Sequence, residues 1–314
     1  MRSICGRILF LLLILLLGTA AAQGEGEFPP LNEAGFYDGG EFVYENEDEG
    51  VWRYASQTLW VEVIRRVDTK PNVVWYEAEI RAAEGELFRM LPWRDDSKRW
   101  TSLQYPYRIA REHRTVFALT GDFAHLRITK KRVPGIIIRD GQLVSKRTKG
   151  KNKAFPNLDT LAILPDGGME VFWSNEKKPE DYAEMGALDV LAFGPWMIRD
   201  GELNTTALRS YGTGRAQRVG IGMAEKGHYF AIMTEGRNKR SAGTSIRFVA
   251  EKLMEKGCTA ALNLDGGQSA AILFMGRQIC LVVNEKGNKA SARKSAEILA
   301  IGSSAMCAPQ DDPF

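Results

Sequence analysis

Thr259-Ala260-Ala261-Leu262-Asn263-Leu264-Asp265-Gly266-Gly267-Gln268-Ser269 is the stretch on which the fold turns. It reads as a short buried strand that ends in a carboxylate and runs into two adjacent glycines. A helix precedes it. Thr244 is the expected N-cap, Ile246, Val249, Ala250, Leu253 and Met254 recur at helical spacing, and Gly257 stands where the C-terminal cap belongs. Glycines admit positive φ and let a ligand approach the backbone closely, while the strand fixes the carboxylate. The same residues also fit a plain hairpin turn joining this strand to a second one at 270–274.

Four upstream segments stand in order with it: Gly121-Asp122-Phe123, Gly194-Pro195-Trp196-Met197-Ile198-Arg199-Asp200-Gly201, Arg218-Val219-Gly220-Ile221-Gly222 and Glu235-Gly236-Arg237. In this order they resemble the signature of the phosphodiester glycosidase family. That family carries Asn-Gly-Asp-Phe/Tyr, Gly-Pro…Asp-Gly, Arg-Thr-Ala-Ile-Gly, Asp/Glu-Gly-Arg and Asn-Leu-Asp-Gly-Gly-Gly-Ser. The resemblance spans roughly 117–302, and its collinearity outweighs any single motif. Two positions depart from the pattern: Gln268 replaces the third glycine and Thr120 replaces the first asparagine.

The chain opens with Arg2 and Arg7, an apolar run at 8–17 and the small residues Thr19-Ala20-Ala21-Ala22, the pattern of a signal peptide over 1–22. The run is shorter than the ~20 residues that span a bilayer. The mature protein is therefore expected to be secreted or held in the cell envelope, with no stable membrane insertion after cleavage. A flexible leader is expected at 23–50, a strand-rich N-terminal region packing on the catalytic domain at 51–110, the catalytic domain at 111–305 and a tail at 306–314.

A hydrophobic share of 44% over 314 residues supports a sizeable core. The net charge of +3, with no basic stripe interleaved with aromatics, argues against a nucleic-acid partner. The basic run at 146–153 reads as a solvated loop, or as a rim attracting anionic glycans. Cys258, Cys280 and Cys307 form no C-x-x-C pair, and His113, His125 and His228 lie far apart. Neither a zinc site nor a disulfide-dense scaffold follows. No Gly-x-Ser-x-Gly elbow is present.

Strands are expected at 58–66 and 73–80, joined by Pro71-Asn72, and at 116–119, 135–139, 161–164, 169–173, 187–193, 219–223, 229–234, 270–274, 279–283 and 296–301. Asp140-Gly141, Asp166-Gly167 and Asp200-Gly201 read as hairpin turns, and 179–185 as a short helix. Trp93, Trp100 and Tyr105 are scattered aromatics better suited to packing than to sugar stacking. The class is α+β, with a mixed, mostly antiparallel sheet core and few helices.

The resemblance implies hydrolysis of a glycosyl phosphodiester, with a phosphodiester-linked glycan as substrate. Such a reaction needs an anionic carboxylate near an oxocarbenium-like anomeric carbon and cationic or N–H donors for the departing phosphate. Asp265 is the first candidate carboxylate, with Glu235 and Asp122 as partners. Arg237, Arg218 and Arg293 are candidate phosphate clamps, since guanidinium binds phosphate through paired hydrogen bonds. Gly236, Gly266 and Gly267 could present backbone N–H groups. Asn263 and Ser269 could hold the acid in place or bind sugar hydroxyls. Each has a plainer alternative: Arg237 pairing with Glu235, Arg293 sitting in a basic loop, Asn263 as a core amide. No cofactor is required by the sequence, although Asp265, Asp122 and Glu235 could bind Ca²⁺ or Mg²⁺ if the fold gathers them. Two other activities fit the same residues: a metal-dependent phosphodiesterase cleaving P–O, and a non-catalytic glycan-binding or exopolysaccharide-assembly factor.

Overall fold

The computed structural model describes residues 27–94, 102–121, 135–147 and 158–307. The expected signal peptide, Trp100, His125, most of the 146–153 run and Asp122 with Phe123 lie outside the described residues. Three sheets carry the chain. The first has nine strands in the order β1 (Phe42–Asn46), β2 (Val51–Ala55), β3 (Leu59–Thr69), β4 (Asn72–Ala82), β15 (His228–Thr234), β14 (Arg218–Glu225), β16 (Ala260–Asn263), β12 (Trp196–Arg199), β13 (Glu202–Leu203). A five-stranded sheet runs β10 (Met169–Phe172), β9 (Asp159–Ile163), β11 (Asp189–Phe193), β7 (Gly135–Arg139), β8 (Gln142–Arg147). The other five-stranded sheet runs β18 (Arg277–Gln278), β17 (Ile272–Phe274), β6 (Thr115–Thr120), β19 (Glu297–Ser303), β5 (Arg89–Pro92).

Every strand pairing named here, for example β4 with β15, β14 with β16 and β6 with β19, is antiparallel. Strands β1 to β4, which precede residue 111, are hydrogen-bonded into the same sheet as β14 and β16. The helices among the described residues are short: α1 (Pro106–Glu112), α2 (Pro179–Glu184), α3 (Thr205–Ser210) and α4 (Ile246–Glu255). None is long and apolar enough to cross a membrane.

One apolar core joins all three sheets, with Val61, Val63 and Ile80 meeting Phe117, Leu119, Leu161, Val219, Ile221, Leu262, Leu264 and Leu299. The period of two along β14 puts Val219 and Ile221 into that core and leaves Gly220 and Gly222 facing α4. A Cβ at Gly220 would sit 2.6 Å from the Met197 methyl and 2.9 Å from Val249 Cγ1; one at Gly222 would sit 2.8 Å from Cys258 Sγ. These glycines let the helix lie close on the strand that carries the site.

Several expectations shift in detail. Ser245, not Thr244, caps α4, accepting the Phe248 N–H at 3.4 Å. Thr244 is instead paired with Ala216, its hydroxyl 2.9 Å from that of Thr234. Gly257 does take the left-handed conformation after the helix, at φ +76°. The expected strand at 279–283 does not form: the short β18 ends at Gln278, and Tyr76, Glu235 and Gln217 take the polar groups of Ile279, Leu281 and Val283 in turn. Most consequentially, the hairpin alternative fails. β16 pairs with β12 and β14, whereas β17 belongs to another sheet and pairs with β6 and β18.

An ion pair ties two of the sheets together. Arg139 on β7 donates from Nε and Nη2 to the Glu297 carboxylate on β19 at 2.9 to 3.1 Å, and from Nη1 to Val190 O at 2.7 Å. Both side chains are 1% exposed. Breaking such a pair by removing one partner costs roughly 3–5 kcal/mol. Arg139→Ala should lower the unfolding free energy in urea by about that amount; a loss under about 1 kcal/mol would show that the pair does not join the sheets energetically.

Candidate active site

Beyond Asn263 the chain leaves one sheet and enters another through Asp265, Gly266, Gly267 and a single 3₁₀ turn, Gly267–Ser269. Gln217, fully buried just before β14, holds this crossing. Its carbonyl accepts the Gly267 N–H at 2.9 Å, its side-chain amide donates to Gly267 O, and its Oε1 accepts the Val283 N–H at 2.9 Å. A Cβ at Gly266 would stand 2.9 Å from Gln217 O, and Gly267 has φ +60°. Both glycines are therefore required, one by close approach and one by conformation. The Gly267 N–H is spent on the scaffold, which corrects the expectation that it faces a ligand. Gly236 is also a close-packing position: a Cβ there would lie 2.8 Å from Gly243 Cα and 2.9 Å from Ala216 C.

Asp265, 8% exposed, sits at the head of this turn. Asn263, two residues before it, donates from Nδ2 to Gly194 O at 2.8 Å, and its Oδ1 is buried with no hydrogen-bond partner. Ser269 Oγ, four residues after Asp265, is likewise buried and unpartnered. Buried polar atoms left unpaired are uncommon and costly, and each calls for an explanation. Here two such atoms flank one carboxylate in the sequence, which is chemistry suited to the hydroxyls of a ligand.

Arg218 leans over the same turn. Its Nη1 lies 3.8 Å from where a Gly266 Cβ would be. Its other nitrogens donate to backbone carbonyls: Nε to Thr244 at 3.3 Å, and Nη2 to Gly212 at 3.2 Å and Gly214 at 2.9 Å. Among the described residues no carboxylate meets it. Burial, and then the neighbouring Arg237 charge, pull its pKa down to about 10. Arg237 is exposed, in the left-handed region at φ +59°, and has no side-chain partner among the described residues. Arg293 is half-buried, 3.5 Å from Glu285, while its backbone N–H donates to Gln268 O at 3.1 Å.

Glu235 is placed differently from expectation. Fully buried, its carboxylate accepts from Arg240 Nε at 2.8 Å and from Arg240 Nη2, Tyr76 OH at 3.0 Å and Leu281 N–H at 2.9 Å. Arg240, not Arg237, is its partner. The expectation of a second acid facing substrate gives way to a carboxylate that holds a loop. No trio of His, Cys, Asp or Glu able to hold a metal gathers among the described residues, and both Glu235 oxygens already accept hydrogen bonds.

A residue that sequence reasoning missed is Asp159. Its two oxygens accept the N–H groups of Ser174 at 3.3 Å and Trp196 at 3.1 Å, and a Cβ on Gly194 would lie 2.9 Å from its own Cβ. Through Gly194 it adjoins Asn263. Burial raises its carboxyl to about 6 against the pull of those two N–H donors. Only its place at the head of a strand could have flagged it. The two departures from the family pattern are scaffold contacts: Gln268 Nε2 donates to Ser291 O at 3.2 Å, and Thr120 Oγ1 accepts the Ala271 N–H at 3.1 Å.

The family model described as phosphodiester glycosidase matches residues 113–302, more than half of the chain. A solved structure of the zebrafish N-acetylglucosamine-1-phosphodiester α-N-acetylglucosaminidase catalytic domain, auto-inhibited by its pro-peptide, is similar in fold at 19% identity. It covers 79% of this chain and 85% of that one, with a TM-score of 0.62. A hypothetical protein from Synechocystis is similar at 12% identity and a TM-score of 0.53, over 83% of this chain and 63% of that one. The SPbeta prophage-derived uncharacterized protein YomE of Bacillus subtilis is 26% identical over 149 residues, 47% of this chain. The match spans 23% of that relative's own length.

Asp159 should leave a mark on stability. Its native pKa of about 6 exceeds the ordinary 3.8, so between those values the folded state binds the extra proton. Its contribution is thus fullest below pH 3.8 and is lost as pH rises through about 6, by about 3 kcal/mol at 1.36 kcal/mol per unit. The stability of wild type relative to Asp159→Asn should decline by that order between pH 4 and pH 7; a flat difference would contradict the assignment.

Proposed function

The chain belongs to the phosphodiester glycosidase family, and on that premise we propose that it hydrolyses a sugar-1-phosphate diester by breaking the bond from the anomeric carbon to the phosphate oxygen. The observation that carries this reading is Arg218. It is a half-buried guanidinium with no carboxylate partner among the described residues, next to Arg237 and over the turn that bears Asp265. A partly desolvated cation without a counter-charge is costly, and an incoming phosphate supplies the missing one.

In this reading Asp265 serves the anomeric centre, where positive charge develops as the bond stretches. Water adds its oxygen to the sugar carbon and gives up a proton, while the phosphate ester leaves with the bonding electron pair. A phosphate ester is a far better leaving group than an alcohol, so a second protonated acid matters less than in ordinary glycosidases. That agrees with Glu235 being tied to Arg240. Arg218 and Arg237 clamp the departing anion, Asn263 Oδ1 accepts from a sugar hydroxyl, and Ser269 Oγ bonds a sugar hydroxyl or donates to a phosphate oxygen. Gln268 and Thr120 bear scaffold contacts, so neither departure speaks for lost turnover. The sugar to test first is N-acetylglucosamine, which the zebrafish enzyme's name carries. The signal-peptide pattern at 1–22 supports an extracellular or envelope glycan as the setting.

Hydrolysis in ¹⁸O-labelled water should put the label in the sugar. Label in the phosphate would mean attack at phosphorus and would overturn the reading. Asp265→Asn should lower kcat by on the order of 10³ with the fold intact by circular dichroism. Arg218→Gln should mainly weaken phosphate binding. In the wild type, affinity for a phosphodiester should hold level to about pH 9 and fall as pH nears 10, where burial and Arg237 let Arg218 lose its proton.

A further inference from the structure

A cavity lies between β2 to β4 and the segment 278–290, lined by none of the residues of the Asp265 turn. Its volume is about 290 Å³, near the lower limit of small-molecule sites (~300 Å³) and enough for one monosaccharide. Arg65, Arg240 and Lys289 line it, with the exposed Glu47 as the lining acid and Glu235, paired to Arg240, behind the wall. Arg65 makes its one side-chain hydrogen bond to the Asp48 carbonyl, at 3.0 Å, and meets no carboxylate among the described residues. Arg240 is 47% exposed even while paired to Glu235. Trp52 and Tyr76 form an aromatic wall, their rings 5.9 Å apart. Trp52 is 1% exposed, yet its indole N–H finds no acceptor.

We propose that this cavity binds one acidic sugar unit, bearing a carboxylate or a phosphate. An excess of cations around a concave, partly aromatic chamber selects for an anion, since its field concentrates in the low-dielectric cleft. Paired N–H donors of guanidinium fit the planar carboxylate or the phosphate oxygens. The aromatic wall and the unpaired indole N–H favour a ring with hydroxyls over a bare ion. This site shares no lining residue with the Asp265 turn, so it stands whether or not the chain cleaves a phosphodiester. Its back wall nevertheless reaches the Glu235-Gly236-Arg237 loop, because the Leu281 N–H donates to Glu235.

The test is titration of the full chain with glucuronate, glucose 6-phosphate, glucose and inorganic phosphate, read by calorimetry and tryptophan fluorescence. Glucuronate and glucose 6-phosphate should each bind saturably, and glucose should not. Arg65→Gln keeps the apolar stem and should weaken glucuronate at least tenfold, and Lys289→Ala should weaken it in the same direction. Arg218→Gln should leave it unchanged. The unpaired charge of Arg65 makes its variant fold without stranding a partner, and thermal melting checks that. Three results would overturn the proposal: no binding of either acidic sugar, binding indifferent to Arg65→Gln and Lys289→Ala, or binding lost in Arg218→Gln. Binding of inorganic phosphate alone would likewise reject the sugar assignment.

Discussion

The structure depends on a single crossing between sheets. Within eight residues the chain leaves β16 of the nine-stranded sheet at Asn263 and begins β17 of a five-stranded one at Ile272. A crossing that tight leaves backbone groups at its corner that neither ladder can satisfy, and buried backbone groups must find partners. Gln217 provides them from its main chain and its side chain together. The corner closes only because Gly266 lets Gln217 O approach and Gly267 takes a left-handed φ. Asp265 is fixed at the corner as a consequence of how two sheets are joined.

The neighbourhood of that corner shows two ways of managing charge. Glu235 is fully buried and accepts from Arg240, Tyr76 and Leu281, so its carboxylate is spent on the scaffold, while Arg240 keeps an exposed face. Arg218 is solvated by three backbone carbonyls and by no acid among the described residues. Carbonyl dipoles soften the burial cost of a cation without cancelling its charge. The Arg218 charge beside the Asp265 turn thus has no ion-pair partner among the described residues.

Local grammar was readable in the chain. The apolar spacing of Ile246, Val249, Ala250 and Leu253 placed α4, Gly257 marked its end, and the Asp-Gly pairs at 140, 166 and 200 fell in turns between paired strands. What stayed hidden depends on contacts between distant residues. Arg240 was unreadable as the partner of Glu235, because Gly236-Arg237 offers a nearer arginine, and only the bend closed by Asn238 and Ser241 brings Arg240 round. Gln217 precedes a recognisable motif and carries no signal of its own, since its partners at 267 and 283 lie some fifty residues away or more. Asp159 begins an apolar strand and looks like an edge residue until Ser174 and Trp196 converge on it.

The site thus separates into a scaffold that the backbone dictates and a set of polar groups that the scaffold leaves unfinished. Gly222, Gly236, Gly266 and Gly267 all admit a close neighbour or an unusual φ, so their presence in the signature is accounted for by packing alone. Asn263 Oδ1, Ser269 Oγ and the Arg218 charge are not accounted for that way. Nothing among the described residues completes them, and leaving them incomplete costs stability. A fold free to discard them would gain by replacing each with an apolar group of similar shape. Their presence near one carboxylate is a cost that packing does not explain and that binding an anionic, hydroxyl-rich ligand does.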